Sequence, residues 1–91
     1  MEFEFDRTKD EANRFKHGLR LAFGAKVFDD PFHALVPSHR LIDGEDRYKA
    51  VGKIDGKLYT AIWVQRGERI RLISVRRSNA GEQRDYNSHP R

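Results

Sequence analysis

The chain is 91 residues long with a formal net charge of +4, and 35% of its side chains are charged against 37% hydrophobic. This predicts one globular domain over residues 1–91 around a thin core. It contains no cysteine, which excludes disulfides, thiolate zinc centres and a cysteine nucleophile and fits a reducing compartment. No apolar run approaches the ~20 residues of a membrane helix, and the acidic start Met1-Glu2-Phe3-Glu4 is unlike the basic start of a signal peptide. The expected location is therefore the cytoplasm, with no membrane partner.

Glu2 to Phe5 alternates charged and apolar residues, which predicts a short edge strand with Phe3 and Phe5 on one face. Asp6 or Thr8 then caps a helix that ends at His17, because Gly18 supplies a left-handed cap. Ala12, Phe15 and Leu19 are its only candidates for an apolar stripe. Leu19 to Phe28 reads as a second helix, with Leu21, Ala22, Ala25 and Phe28 at helical spacing, and it stops before Asp29-Asp30-Pro31. Phe32 to Pro37 is a short strand that its proline assigns to an edge, and the polar stretch Ser38 to Asp46, with Asp43-Gly44, reads as a loop. Arg47 to Ile54 and Lys57 to Gln65 are strands joined by Asp55-Gly56, the pair a type I′ turn prefers. Arg66-Gly67-Glu68 turns the chain into a third strand, and a short helix from a Ser78 or Asn79 cap to Tyr86, with Glu82 in its first turn, closes the pattern.

That third strand, Arg69 to Arg77, reads R-I-R-L-I-S-V-R-R. Ile70, Leu72, Ile73 and Val75 suit a half-buried pleated surface, while Arg69, Arg71, Arg76 and Arg77 bring four guanidinium groups whose forks match phosphate oxygens. Residues 1–65 balance 11 Lys/Arg against 11 Asp/Glu, whereas residues 66–91 carry 7 Arg and 3 Asp/Glu, so the whole net charge lies in the last third. RNA is the expected partner. The plainer reading is that the arginines pair with acids such as Glu68 and Glu82. Arg76 and Arg77 stand at the strand's end, where replacement is expected to cost little stability.

The order of elements predicts an α+β domain, two N-terminal helices packed on an antiparallel meander with a short C-terminal helix. Together with Asn13-x-x-Lys16-His17-Gly18, Val27-Phe28-Asp29-Asp30-Pro31, Asp43-Gly44-Glu45-Asp46-Arg47-Tyr48 and Arg69-Ile70-Arg71-x-Ile73-Ser74-x-Arg76-Arg77, it resembles the BrnT toxins of bacterial type II toxin–antitoxin pairs. The resemblance runs from Phe3 to Tyr86. It implies a RelE/ParE-like fold, ribonuclease activity that halts translation, and neutralisation by a BrnA-type antitoxin, with DNA bound only through that antitoxin.

RNA is cut when its own 2′-hydroxyl attacks the adjacent phosphorus, which requires a proton acceptor, a proton donor and positive charge for the phosphorane. No metal and no cofactor is expected. His17 is the candidate proton carrier, with Lys16 beside it, Arg71, Arg76 and Arg77 as charge, and Tyr86 as a base-stacking or proton-donating group. Arg47, Arg69 and Arg84 are the RNA-binding candidates. The structural alternative for Lys16 and His17 is closure of a helix C-terminus against its dipole, and for Tyr86 ordinary packing. His33, His39 and His89 lack zinc spacing and read as loop histidines. Asp43, Glu45 and Asp46 miss the calcium-loop pattern, and Asp29 and Asp30 end a helix. Two functions of other classes compete: a non-catalytic nucleic-acid-binding module, and a subunit whose basic face docks an acidic protein.

Overall fold

The computed structural model describes the backbone of residues 2–42 and 45–88 and the side chains of 2–38 and 46–88. In chain order it contains β1 (Glu2–Phe5), α1 (Arg7–His17), α2 (Leu21–Gly24), a 3-10 helix (Ala25–Asp29), β2 (Ala34–Ile42), β3 (Glu45–Ile54), β4 (Lys57–Arg66), β5 (Arg69–Arg77) and α3 (Ala80–Ser88). The strands form one sheet in the order β1-β5-β4-β3-β2.

Strands β3 to β5 make the expected antiparallel meander and β2 extends it antiparallel to β3, but β1 lies parallel to β5, with Glu2 opposite Arg69 and Phe5 opposite Leu72. The expectation of a wholly antiparallel sheet is thereby corrected, since the sheet is mixed. Alternation in Glu2 to Phe5 identifies a strand but not its direction. A parallel pairing needs a long connection, and everything between β1 and β5 supplies it.

Both faces of the sheet are covered. On one, Leu21 of α2 and Val27 of the 3-10 helix pack on Ala50, Ala61, Leu72 and Val75, all almost fully buried, with Phe3, Phe23 and Phe28 around them. On the other, Tyr86 of α3 packs on Ala34 and Val51. The expected ten-residue second helix is instead a single α-turn that tightens into the 3-10 helix. Its backbone lies directly on β3, where a Cβ on Gly52 would stand 2.6 Å from the Val27 carbonyl oxygen. Asp30 anchors the end of this segment, accepting from the backbone N–H groups of Phe32 (2.9 Å) and Lys53 (2.8 Å).

The stretch expected to be a loop after Pro37 is strand as far as Ile42, with a register irregularity between Ser38 and Leu41. The expected turn at Asp43-Gly44, and the side chains of His39, Glu45 and His89, lie outside the described residues. Asp55 and Gly56 have φ of 51° and 80°, as a type I′ turn requires. Asn79 and Glu82 form the capping box that starts α3: Glu82 N–H donates to Asn79 Oδ1, and Asn79 N–H donates to Glu82 Oε1, both at 2.9 Å.

Helix α1 docks against expectation. Its buried residues are Asp10 and Asn13, while Phe15, the supposed centre of an apolar stripe, is 95% exposed. The reason is the edge of β5. Strand β1 pairs only as far as Leu72, and beyond it Asn13 stands in for a strand. Asn13 Oδ1 accepts from Val75 N–H (3.0 Å) and Ser74 Oγ (2.9 Å), and its Nδ2 donates to the carbonyls of Val75 (3.0 Å) and Leu19 (2.8 Å). Asp10 holds the following corner by accepting from Leu21 N–H (2.7 Å) and Arg20 (3.0 Å).

Asn13→Ala strands buried backbone groups, each costing about 1–3 kcal/mol. Denaturant titration is expected to show a loss of about 2–4 kcal/mol, whereas Phe15→Ala stays within about 0.5 kcal/mol of the parent. A Phe15 variant less stable than the Asn13 variant would contradict this docking mode.

Candidate active site

The polar docking of α1 leaves a groove of about 180 Å³ between the helix and β5, lined by Lys9, Ala12, Asn13, Lys16, His17, Ile73 and Ser74. Lys9, Asn13 and Lys16 recur at i, i+4 and i+7, on one helical face, so the residue that ties the helix to the strand is flanked by two ammonium groups. The opposite wall is irregular. Leu72 pairs with Trp63 and Ser74 with Ile62, which leaves Ile73 as an extra residue in β5, and such bulges re-aim the side chains beside them.

The bulge also sorts the arginines. With strict alternation Arg76 would face away from Arg69 and Arg71. One extra residue puts Arg76 on their side of the sheet and sends Arg77 to the other, where its guanidinium lies 5.5 Å from the Tyr59 ring centre.

Acids then neutralise most of this row. Arg69 Nε is 3.2 Å from Glu2, and Arg71 Nη1 donates to Glu4 at 2.7 Å, the parallel register of β1 setting each glutamate opposite its arginine. Arg76 forks onto Glu82 with two bonds of 2.7 Å. Glu82, only 3% exposed, also accepts from Thr60 (2.9 Å) and pairs with Lys49 (3.1 Å). Pairing with Glu82 was foreseen, and pairing with Glu2 and Glu4 was not. The expectation that replacing Arg76 costs little stability is corrected, because it is the counter-ion of a buried carboxylate.

His17 is half-buried at the C-terminus of α1. Burial, then the charges of Lys16 and Arg76, hold its imidazolium pKa below the usual 6.5, so the ring is neutral at neutral pH with positive charge beside it. That combination suits a proton acceptor. The structure thus brings His17, Lys16 and Arg76 into one neighbourhood, and sequence reading missed Lys9, Asn13 and Ser74 within it. The i, i+4, i+7 spacing of Lys9, Asn13 and Lys16 was the available signal.

Tyr86 does not join them. It is 2% exposed, packed beneath α3, and its hydroxyl donates to Asp30 at 2.6 Å, so the expected stacking or proton-donating role is corrected to a core one. Arg84 is exposed on α3, away from the helix face that buries Glu82 and Tyr86. His33 is bonded through Nδ1 to the Asp30 carbonyl (2.7 Å), as a turn residue. Among the described residues no three His, Asp or Glu side chains cluster at metal-binding distance, and no helix is long and apolar enough to cross a membrane.

Fold and site define a small basic α+β protein with a cationic, histidine-bearing groove at the interrupted edge of a mixed sheet. Residues 5–82 match the family model described as the ribonuclease toxin BrnT of type II toxin–antitoxin systems, and the chain belongs to that family. No curated protein matches it.

Proposed function

We propose that this protein is a single-domain, cytoplasmic, metal-independent endoribonuclease that arrests translation and growth, and that a BrnA-type antitoxin neutralises it by covering the groove. The observation that carries this reading, beside the family, is the neutral imidazole of His17 among Lys9, Lys16 and Ser74. His17 accepts the proton of the 2′-hydroxyl as its oxygen attacks phosphorus. The bond from phosphorus to the 5′ oxygen breaks, and Lys16 supplies the proton that oxygen takes. The products are a 2′,3′-cyclic phosphate and a 5′-hydroxyl. Lys9 and Lys16 stabilise the charge of the phosphorane, and the field of Arg76, only partly screened by Glu82, adds to theirs. Arg71, Arg69, Arg77 and Arg84 are peripheral to the chemistry in this reading.

Incubation of the purified protein with RNA in excess EDTA tests the proposal. The expected result is unchanged cleavage with cyclic phosphate ends. Loss of cutting with the chelator sinks the metal-independent mechanism. RNA that is bound with steep salt dependence and never cut returns the chain to a non-catalytic binding module.

A further inference from the structure

On the α3 face of the sheet the described cations divide unequally. Arg69 and Arg71 are held by Glu2 and Glu4, and Arg76 and Lys49 by Glu82. Arg47, on the same face, has no acidic partner among the described residues. Its placement follows from register. Tyr48 opposes and packs on Trp63, their rings 5.1 Å apart in the main core, so its neighbour Arg47 points the other way, beside Val64, which pairs with Arg71. Val64 is 3% exposed.

The Nε of Arg47 is shut off from solvent and meets no hydrogen-bond partner among the described residues. The other such donor among the described residues, the Trp63 indole nitrogen, lies against the apolar core. A buried donor without a partner is costly; the residue as a whole is half-exposed, so an anion reaches its other guanidinium nitrogens and offsets the unpaired charge.

We infer that Arg47 is a second phosphate subsite for single-stranded RNA, two strands across the sheet from the groove. The inference rests on the ribonuclease reading and extends it. Strand β3 stands two inter-strand spacings from β5, about 10 Å, too far for one phosphate to touch both Arg47 and the groove. The substrate is therefore an extended strand that crosses β5 and β4, with the scissile phosphate at His17 and Lys16 and another at Arg47. The arginines between them each face a glutamate, and that acidic partner lowers their competition for phosphate.

The test is binding of a 2′-O-methyl hexanucleotide, which lacks the attacking hydroxyl, followed by fluorescence anisotropy across a salt series. Arg47→Met keeps an unbranched aliphatic stem and removes the charge. It is expected to weaken binding about tenfold and to flatten the dependence of log K on log salt by about 0.7, one phosphate's worth for a single strand. Arg47→Lys is expected to restore the slope but only part of the affinity. Lys16→Met also weakens binding, and the two losses add in log K because the sites are separate. If Lys16→Met weakens binding while Arg47→Met changes neither affinity nor slope, the subsite is wrong and the groove stands. If the parent binds no hexanucleotide, the RNA reading fails as a whole and the subsite with it.

Discussion

Glu82→Ala is expected to destabilise this protein more than any other single surface-to-core change, by about 3–5 kcal/mol, because it leaves Arg76 and Lys49 without their common carboxylate. In a domain of this size that corresponds to a fall in Tm of roughly 10 °C or more. The same side chain caps α3 and accepts from Thr60, so the helix start and the strand pairing beneath it loosen together. Stability should also depend on pH in a specific way. Burial by itself raises the Glu82 pKa, but the Arg76 fork, the Asn79 N–H, Thr60 and Lys49 overcome it and bring it down to about 2. A depressed carboxylate pKa contributes stability that is fully present above the unfolded value of about 4.5 and is lost as pH falls towards 2. Denaturant midpoints measured from pH 6 to pH 2 should therefore fall more steeply in the parent than in Glu82→Ala. Equal slopes would mean that the ion pair contributes nothing. Growth assays on Arg76 variants need the same stability measurement, because loss of toxicity there reads a broken fold as readily as a lost phosphate contact.

Local signals in the sequence identified most of the elements. Asp6 and Gly18 bounded α1, Asp55-Gly56 set the hairpin, and the Asn79/Glu82 box started α3, each of these being chemistry within a few residues. What stayed hidden was non-local. That Glu2 and Glu4 face Arg69 and Arg71 depends on a parallel register across the whole chain, and that Arg76 and Arg77 part company depends on a single bulge at Ile73. Periodicity assigned Phe15 to the core because hydrophobic spacing carries no information about an unpaired strand edge, and the edge instead selected Asn13. The catalytic candidates show the same division. Lys16 and His17 were visible as a charged pair at a helix end. Tyr86 was misplaced, since an aromatic on a terminal helix looks alike whether it packs inward or stacks outward.

Replacement of His17 by Gln is expected to lower kcat by about 10²–10⁴-fold, the usual worth of a positioned acid or base, while RNA affinity changes little. The alternative, in which His17 merely closes α1, makes opposite predictions on two counts. A histidine that stabilises a helix C-terminus does so as the cation, and the dipole would raise its pKa. Here burial, Lys16 and Arg76 lower it, so the ring is neutral where the dipole would have it charged. A structural histidine should also show its loss in Tm. Glutamine keeps a side chain able to hydrogen-bond at that end, so His17→Gln should melt near the parent and still fail to cut. The pH profile separates the readings further. Because the base must be unprotonated, kcat/KM should rise with pH along an acid limb whose midpoint lies below 6.5. Lys16→Met removes one of the charges that depress the imidazole, so in whatever activity remains that limb should move up towards 6.5. The sign for stability runs the same way: the folded state holds its proton less tightly than the unfolded chain, so this group adds a slight rise in stability with pH in the window just below 6.5. An acid limb that stays in place in Lys16→Met would show that another group titrates there. A His17→Gln protein that cuts RNA at the parent's rate would remove the histidine from the chemistry and leave Lys9, Lys16 and Ser74 as the groove's only candidates for it.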